Sequence, residues 1–174
     1  QHIMRGDIKA AEASIQWYKN LFGDDFYLEM QRHQTDKPGG DQQTYQKQKE
    51  VNKVLVELAQ KTNTKLIATN DVHFVDEEHG EAHDRLICLN TGKDLDDENR
   101  MRYTKQEWLK SPEEMAAIFV DMPEVLKNTQ DIVNKVEVFS LNSDPIMPKF
   151  DIPSEFGTEE SYRTKYTNED LFNE

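Results

Sequence analysis

Asp71 and His73 close the stretch LIATNDVHF, Leu66 to Phe74, where an apolar run turns polar. In an extended chain successive side chains alternate between faces, so Asp71 and His73 share a face with Thr69 while Leu66, Ala68 and Val72 take the other. At about 3.3 Å per residue their Cα atoms fall roughly 6 to 7 Å apart, a span that converging side chains can close on one cation or two neighbouring ones. A carboxylate and an imidazole on one face suit Zn, Mn or Fe. A structural reading competes with this one: an Asp at a strand end that caps the next turn, with the His hydrogen-bonded to it. Two donors are also fewer than a site needs.

Other residues that could do chemistry are scattered. His33 ends the segment YLEMQRH and could line the same mouth. Glu29 in that segment shares a strand face with Tyr27 and Gln31, and its readings are an ion pair, with Arg32 for example, a supporting carboxylate near the site, or plain structure. His79 and His83 stand four apart on one helical face, yet the glutamate between them, Glu81, is offset from the His-Glu-x-x-His metalloprotease spacing. Surface or helix-packing histidines fit better, with His83 and Asp84 candidates to support a neighbouring loop. There is no Gly-rich phosphate loop, no Gly-x-Ser-x-Gly elbow and no cysteine pair for zinc. The single cysteine, Cys88, lies in an apolar setting that predicts a buried, inert thiol, and it excludes an intramolecular disulfide. Trp17 and Trp108 read as packing residues rather than base-stacking platforms.

The elements that must position these residues follow from hydrophobic period. Ile8, Ala11, Ile15, Tyr18 and Phe22 recur in steps of three and four, which predicts a helix over 8–22 stopped by Gly23. FYLEMQ predicts a short strand over 26–31, and TDKPGGD a loop. Val51, Val54, Leu55 and Leu58 predict a long helix over 42–61 capped by Asp41, and LIATND the second strand. Helix, strand, helix, strand at this spacing predicts parallel βα units, whose chemistry sits at the C-terminal strand ends. Beyond Phe74 come a helix over 78–90 ended by Gly92, a polar connection, a capping box at Ser111, Pro112 and Glu114, a helix from Pro123, and a short strand over 136–139.

Composition sets the outer bounds. The 174 residues suffice for a real core. With 34 acidic against 21 basic residues the net charge is −13, so direct capture of a phosphate backbone is disfavoured. No stretch approaches the roughly 18 apolar residues of a membrane span. A lone cysteine suits a reducing, cytoplasmic compartment. The first residue is Gln1 rather than Met, which reads as a piece of a longer protein.

FGDDFYLEMQRH, LIATNDVHF, EAHDRLICLNTGK, YTKQEWLKSPEEM and DMPEVLKNTQDIV, in this order, resemble the bacterial replicative polymerase III alpha-subunit family. The resemblance covers roughly residues 7–150 and falls in the later part of the family's PHP (polymerase and histidinol phosphatase) domain and its exit toward the palm. It implies an α/β fold: part of a distorted (β/α) barrel with parallel strands over 1–76, a mainly helical continuation over 77–142, and an extended acidic linker over 143–174. It implies that Asp71 and His73 supply two ligands of a divalent metal site (Zn, Mn or Fe) built for phosphoester hydrolysis, with His33 a third contributor. The family's His-x-His lies upstream of this chain and its polymerase carboxylates downstream. The segment alone is therefore expected to bind metal weakly and to be inactive. Implied partners are replisome subunits, including a proofreading exonuclease docked on the domain as a scaffold, and DNA held by the parent chain. The alternatives are a free-standing PHP metal-dependent phosphoesterase and a non-catalytic docking domain for a proofreading exonuclease.

Overall fold

The computed structural model describes residues 1–148 and 153–166, which divide into two compact units, Gln1–Val136 and Glu137–Glu174. In the first unit the elements run α1 (Ile8–Phe22), β1 (Tyr27–Met30), α2 (Gln42–Thr62), β2 (Lys65–Ala68), α3 (His79–Thr91), α4 (Pro112–Ile118) and α5 (Pro123–Lys135). The two strands pair in parallel, with Leu28 opposite Leu66 and Met30 opposite Ala68, as the βα alternation predicts. The result is a mixed α/β arrangement around a two-stranded sheet, and no closed barrel is formed among the described residues.

Local chemistry sets most element ends. The Asp7 carboxylate accepts from the Ala10 amide at 3.0 Å and starts α1. Asp41 accepts from the Gln43 amide at 2.8 Å and the Thr44 hydroxyl at 2.7 Å, which starts α2. Gly92, with φ of 63°, closes α3 in the left-handed conformation that glycine adopts without steric cost. The predicted capping box forms at α4: the Glu114 amide donates to Ser111 Oγ at 3.2 Å, and the Ser111 amide donates to Glu114 Oε2 at 2.8 Å.

Sheet burial has the period of two. Leu28 and Met30 are buried while Glu29 between them is exposed. Leu28 packs with Ala11 and Ile15 of α1 and with Leu58 and Ala59 of α2. Met30 and Ala68 pack with Phe119 and Val125, which join α4 and α5 to the same face. Fully burying side chains such as Phe119 and Val125 contributes about 1.5–3 kcal/mol each. Only the middle of the α1 stripe enters this core. Tyr18 and Phe22 stay exposed and stack with each other at 6.4 Å, and Trp17, expected to pack, is 60% exposed. Cys88 is buried, as its apolar neighbours predict.

The two edges of the sheet differ. The Thr69 amide donates to the Met30 carbonyl at 3.1 Å, so alternate residues 65, 67 and 69 face β1, and the carbonyls of Leu66 and Ala68 face outward. Helix α5 meets those two carbonyls with side-chain donors, Asn128 Nδ2 at 2.8 Å and Thr129 Oγ1 at 3.2 Å. No strand lies on the outer side of β1 among the described residues.

Residues 136–139, predicted as a strand, have no regular structure and are exposed. Apolar alternation is not enough without a partner ladder, and none of the described residues pairs with this segment. Within the second unit, a 3-10 turn at Ser154–Phe156 and helix α6 (Glu159–Lys165) occupy part of the predicted extended linker. Glu159 and Glu160 at the start of α6 and Lys165 at its end suit the helix dipole, and Arg163 Nε donates to Glu159 at 2.8 Å. Residues 149–152 and 167–174 of that predicted linker lie outside the described residues. Among the described residues no helix is long and apolar enough to cross a membrane.

Candidate metal site

Strand β2 ends at Ala68, three residues earlier than the sequence pattern predicts. The cause is Asn70. Its buried carboxamide donates to the carbonyls of Gln106 at 2.9 Å and Trp108 at 2.7 Å, drawing the chain toward the connection between α3 and α4. Asp71 then turns into the left-handed region, φ 46°, which Asp tolerates better than most residues. Asp71 and His73 are therefore brought together by a turn, not by strand alternation. His73 Nδ1 lies 2.6 Å from the Asp71 backbone carbonyl and 3.9 Å from its Oδ1. A carbonyl only accepts, so Nδ1 carries the proton and the Nε2 lone pair is left for a cation. The His73 amide donates to the Glu107 carbonyl at 2.7 Å, and a single bridge joins Phe74 to Trp108 just beyond.

His33 reaches the same turn from the end of β1 but is only 3% exposed. Its Nε2 lies 3.1 Å from the Asn70 carbonyl, its Nδ1 3.1 Å from Gln48 Nε2, and its backbone amide donates to Gln48 Oε1 at 2.7 Å. Burial pushes its imidazolium pKa down, against the pull of Glu107, whose carboxylate lies 3.8 Å away. Glu107 is itself buried and accepts from the Thr104 amide at 3.0 Å and hydroxyl at 2.7 Å and from the Gln106 amide at 2.9 Å. Burial also lowers the neighbouring Lys110 ammonium to about 8, with its Nζ 4.3 Å over the Trp108 ring.

His83 packs beside the turn, its ring 5.5 Å from His73 and 5.1 Å from Tyr103, and burial followed by the His73 charge pushes its pKa down. Asp84 supports the neighbouring loop as anticipated, through a buried bidentate pair with Arg100 at 2.5 and 2.7 Å. His79 stays with Asp76 at the start of α3. Glu29 does not pair with Arg32. It accepts from Thr69 and Gln31, while Arg32 takes the Asp121 carboxylate at 2.5 and 3.0 Å.

The Asp71 carboxylate and the His73 ring thus stand on one turn, both side chains partly exposed. His33, as placed, has both ring nitrogens engaged. No group of three or more His, Cys, Asp or Glu side chains among the described residues is arranged to hold a metal ion. Asn70 and Glu107 shape the turn and Gln48 holds His33 beside it; Asn70 is marked in the sequence only as a polar residue after an apolar run, and Gln48 and Glu107, within polar stretches, carry no signal.

No family model matches the chain. It is 37% identical over 171 residues to the DNA polymerase III subunit alpha of Borreliella burgdorferi, which covers 97% of this chain and 14% of that protein. Against the same subunit of Campylobacter jejuni it is 34% identical over 94% of this chain and 13% of the relative. The subunit of Pseudomonas aeruginosa is 34% identical over 92% of this chain and 13% of its own length. The chain spans about one-seventh of the length of these curated relatives.

Proposed function

Related to a segment of the DNA polymerase III alpha subunit along nearly all of its own length, this chain is, we propose, a segment of a replicative DNA polymerase, a DNA-directed nucleotidyltransferase. The observation that carries the reading is that similarity over 92 to 97% of the chain to subunits of several bacteria. Within that parent the segment is the later part of a PHP-type domain, whose turn offers Asp71 and His73 to a divalent metal, Zn, Mn or Fe. A cation there would supply activation of water and neutralisation of a leaving phosphate. The residues of this chain hold Asp71 and His73 in place, through Asn70 and the Glu107 carbonyl. His33 contributes to the same turn.

Replisome subunits, a proofreading exonuclease among them, are the partners this reading assigns, in the bacterial cytoplasm. DNA is gripped by other parts of the parent, since the −13 charge opposes it here. The segment alone is inactive in this reading. The test is the parent gene and its product: a purified parent chain that extends a primed template supports the reading, and a parent lacking any polymerase region overturns it.

A further inference from the structure

We propose that His33 is a positioning residue for the Asp71–His73 turn and not a ligand within it. The inference rests on the reading above in one respect, that the turn receives a divalent cation. Two independent constraints set the protonation of the His33 ring. The His33 backbone amide donates to Gln48 Oε1 at 2.7 Å, which fixes the orientation of the Gln48 carboxamide, so Gln48 Nε2 must donate to His33 Nδ1 at 3.1 Å. The Asn70 carbonyl, 3.1 Å from Nε2, can only accept, so Nε2 carries the proton. Both demand the same neutral tautomer, and together they use the one lone pair and the one N–H that a neutral imidazole has.

The ring is therefore a strut between α2 and the turn. From Asn70 the connection continues: its carboxamide grips the Gln106 and Trp108 carbonyls, and the Glu107 carbonyl between them receives the His73 amide at 2.7 Å. His33 thus bears on one end of the turn and Glu107 on the other, with Asp71 and His73 between. A cation taking either nitrogen of His33 would leave the buried Asn70 carbonyl or the half-buried Gln48 carboxamide without its partner.

The experiment compares His33→Gln with His33→Ala in the full 174-residue chain. Glutamine restores an amide donor toward Asn70 and is a poor ligand for Zn²⁺, while alanine restores nothing. Zn²⁺ titration calorimetry should find His33→Gln within about twofold of the unaltered chain and His33→Ala weaker by about tenfold, the range in which groups supporting metal ligands act. Equal loss in both variants would make His33 a ligand and overturn the proposal. Long-range proton–nitrogen NMR of the unaltered chain should show the His33 ring protonated at Nε2 with and without Zn²⁺. A Zn²⁺-induced nitrogen shift at His33 comparable to that at His73 would also overturn it. Amide exchange of residues 70–74 without metal completes the test. Faster exchange in His33→Ala but not in His33→Gln supports positioning, and unchanged exchange in both refutes it. Should the unaltered chain bind no Zn²⁺, as ligands supplied by the rest of the parent would allow, the exchange and tautomer results alone decide the role of His33.

Discussion

At the scale of single residues, Asp71 separates donor chemistry from backbone tolerance. Asparagine accepts the left-handed conformation at φ 46° as readily as aspartate but lacks the charge that holds a cation. Asp71→Asn is expected to weaken Zn²⁺ binding by about tenfold or more, by titration calorimetry, while unfolding stability stays within about 0.5 kcal/mol. Asp84 is the opposite case. Its carboxylate is buried against Arg100, whose Nε also donates to the Leu95 carbonyl at 3.0 Å, so Asp84→Asn strands a buried guanidinium and should cost about 3–5 kcal/mol in denaturant unfolding. The same pair gives an acid limit. Burial raises the Asp84 pKa, but the Arg100 hydrogen bonds and charge outweigh it and hold the carboxyl below its ordinary 3.8. The stabilisation is then complete above that value and is lost as pH falls through the lower folded pKa. Unfolding measured across that window should lose stability in the unaltered chain and show a shallower slope in Asp84→Asn.

At the scale of elements, what was legible in the sequence is what neighbours in sequence decide. Asp7, Asp41 and the Ser111–Glu114 box satisfy amides two or three residues away, so helix starts could be read directly. Ser111→Ala removes one partner of the box and should destabilise the unit by about 1 kcal/mol in chemical denaturation, with no effect on Zn²⁺ binding. The parallel pairing was legible from the alternation of helical and strand periods. The early end of β2 was not, because Asn70 answers to Gln106 and Trp108, 36 and 38 residues away. Arg32 likewise finds Asp121 at a separation of 89 residues, a non-local contact that its neighbourhood to Glu29 in the sequence does not reveal. The polar loop before α2 shows the same dependence. Gly40 sits where an added Cβ would come 2.8 Å from the Thr104 carbonyl, and the adjacent Asp41 amide donates to the Tyr103 carbonyl at 2.9 Å. The breaker was visible in the sequence, and the backbone it approaches was not.

At the scale of the whole molecule, the −13 charge predicts that the chain passes a heparin column unretained at about 0.15 M salt, because few cations are available to displace counterions from a polyanion. Retention there would mean that a local basic surface outweighs the total. The sheet adds a limit of a different kind. Helix α5 meets the outward carbonyls of Leu66 and Ala68 with Asn128 and Thr129, whereas β1 has no strand on its other side among the described residues. Strand edges recruit other strand edges, and a sheet open on both sides can do so without end. A sheet sealed on one side can be joined only at the other. Further strand pairing in this sheet would therefore have to come at the side of β1 that faces away from β2.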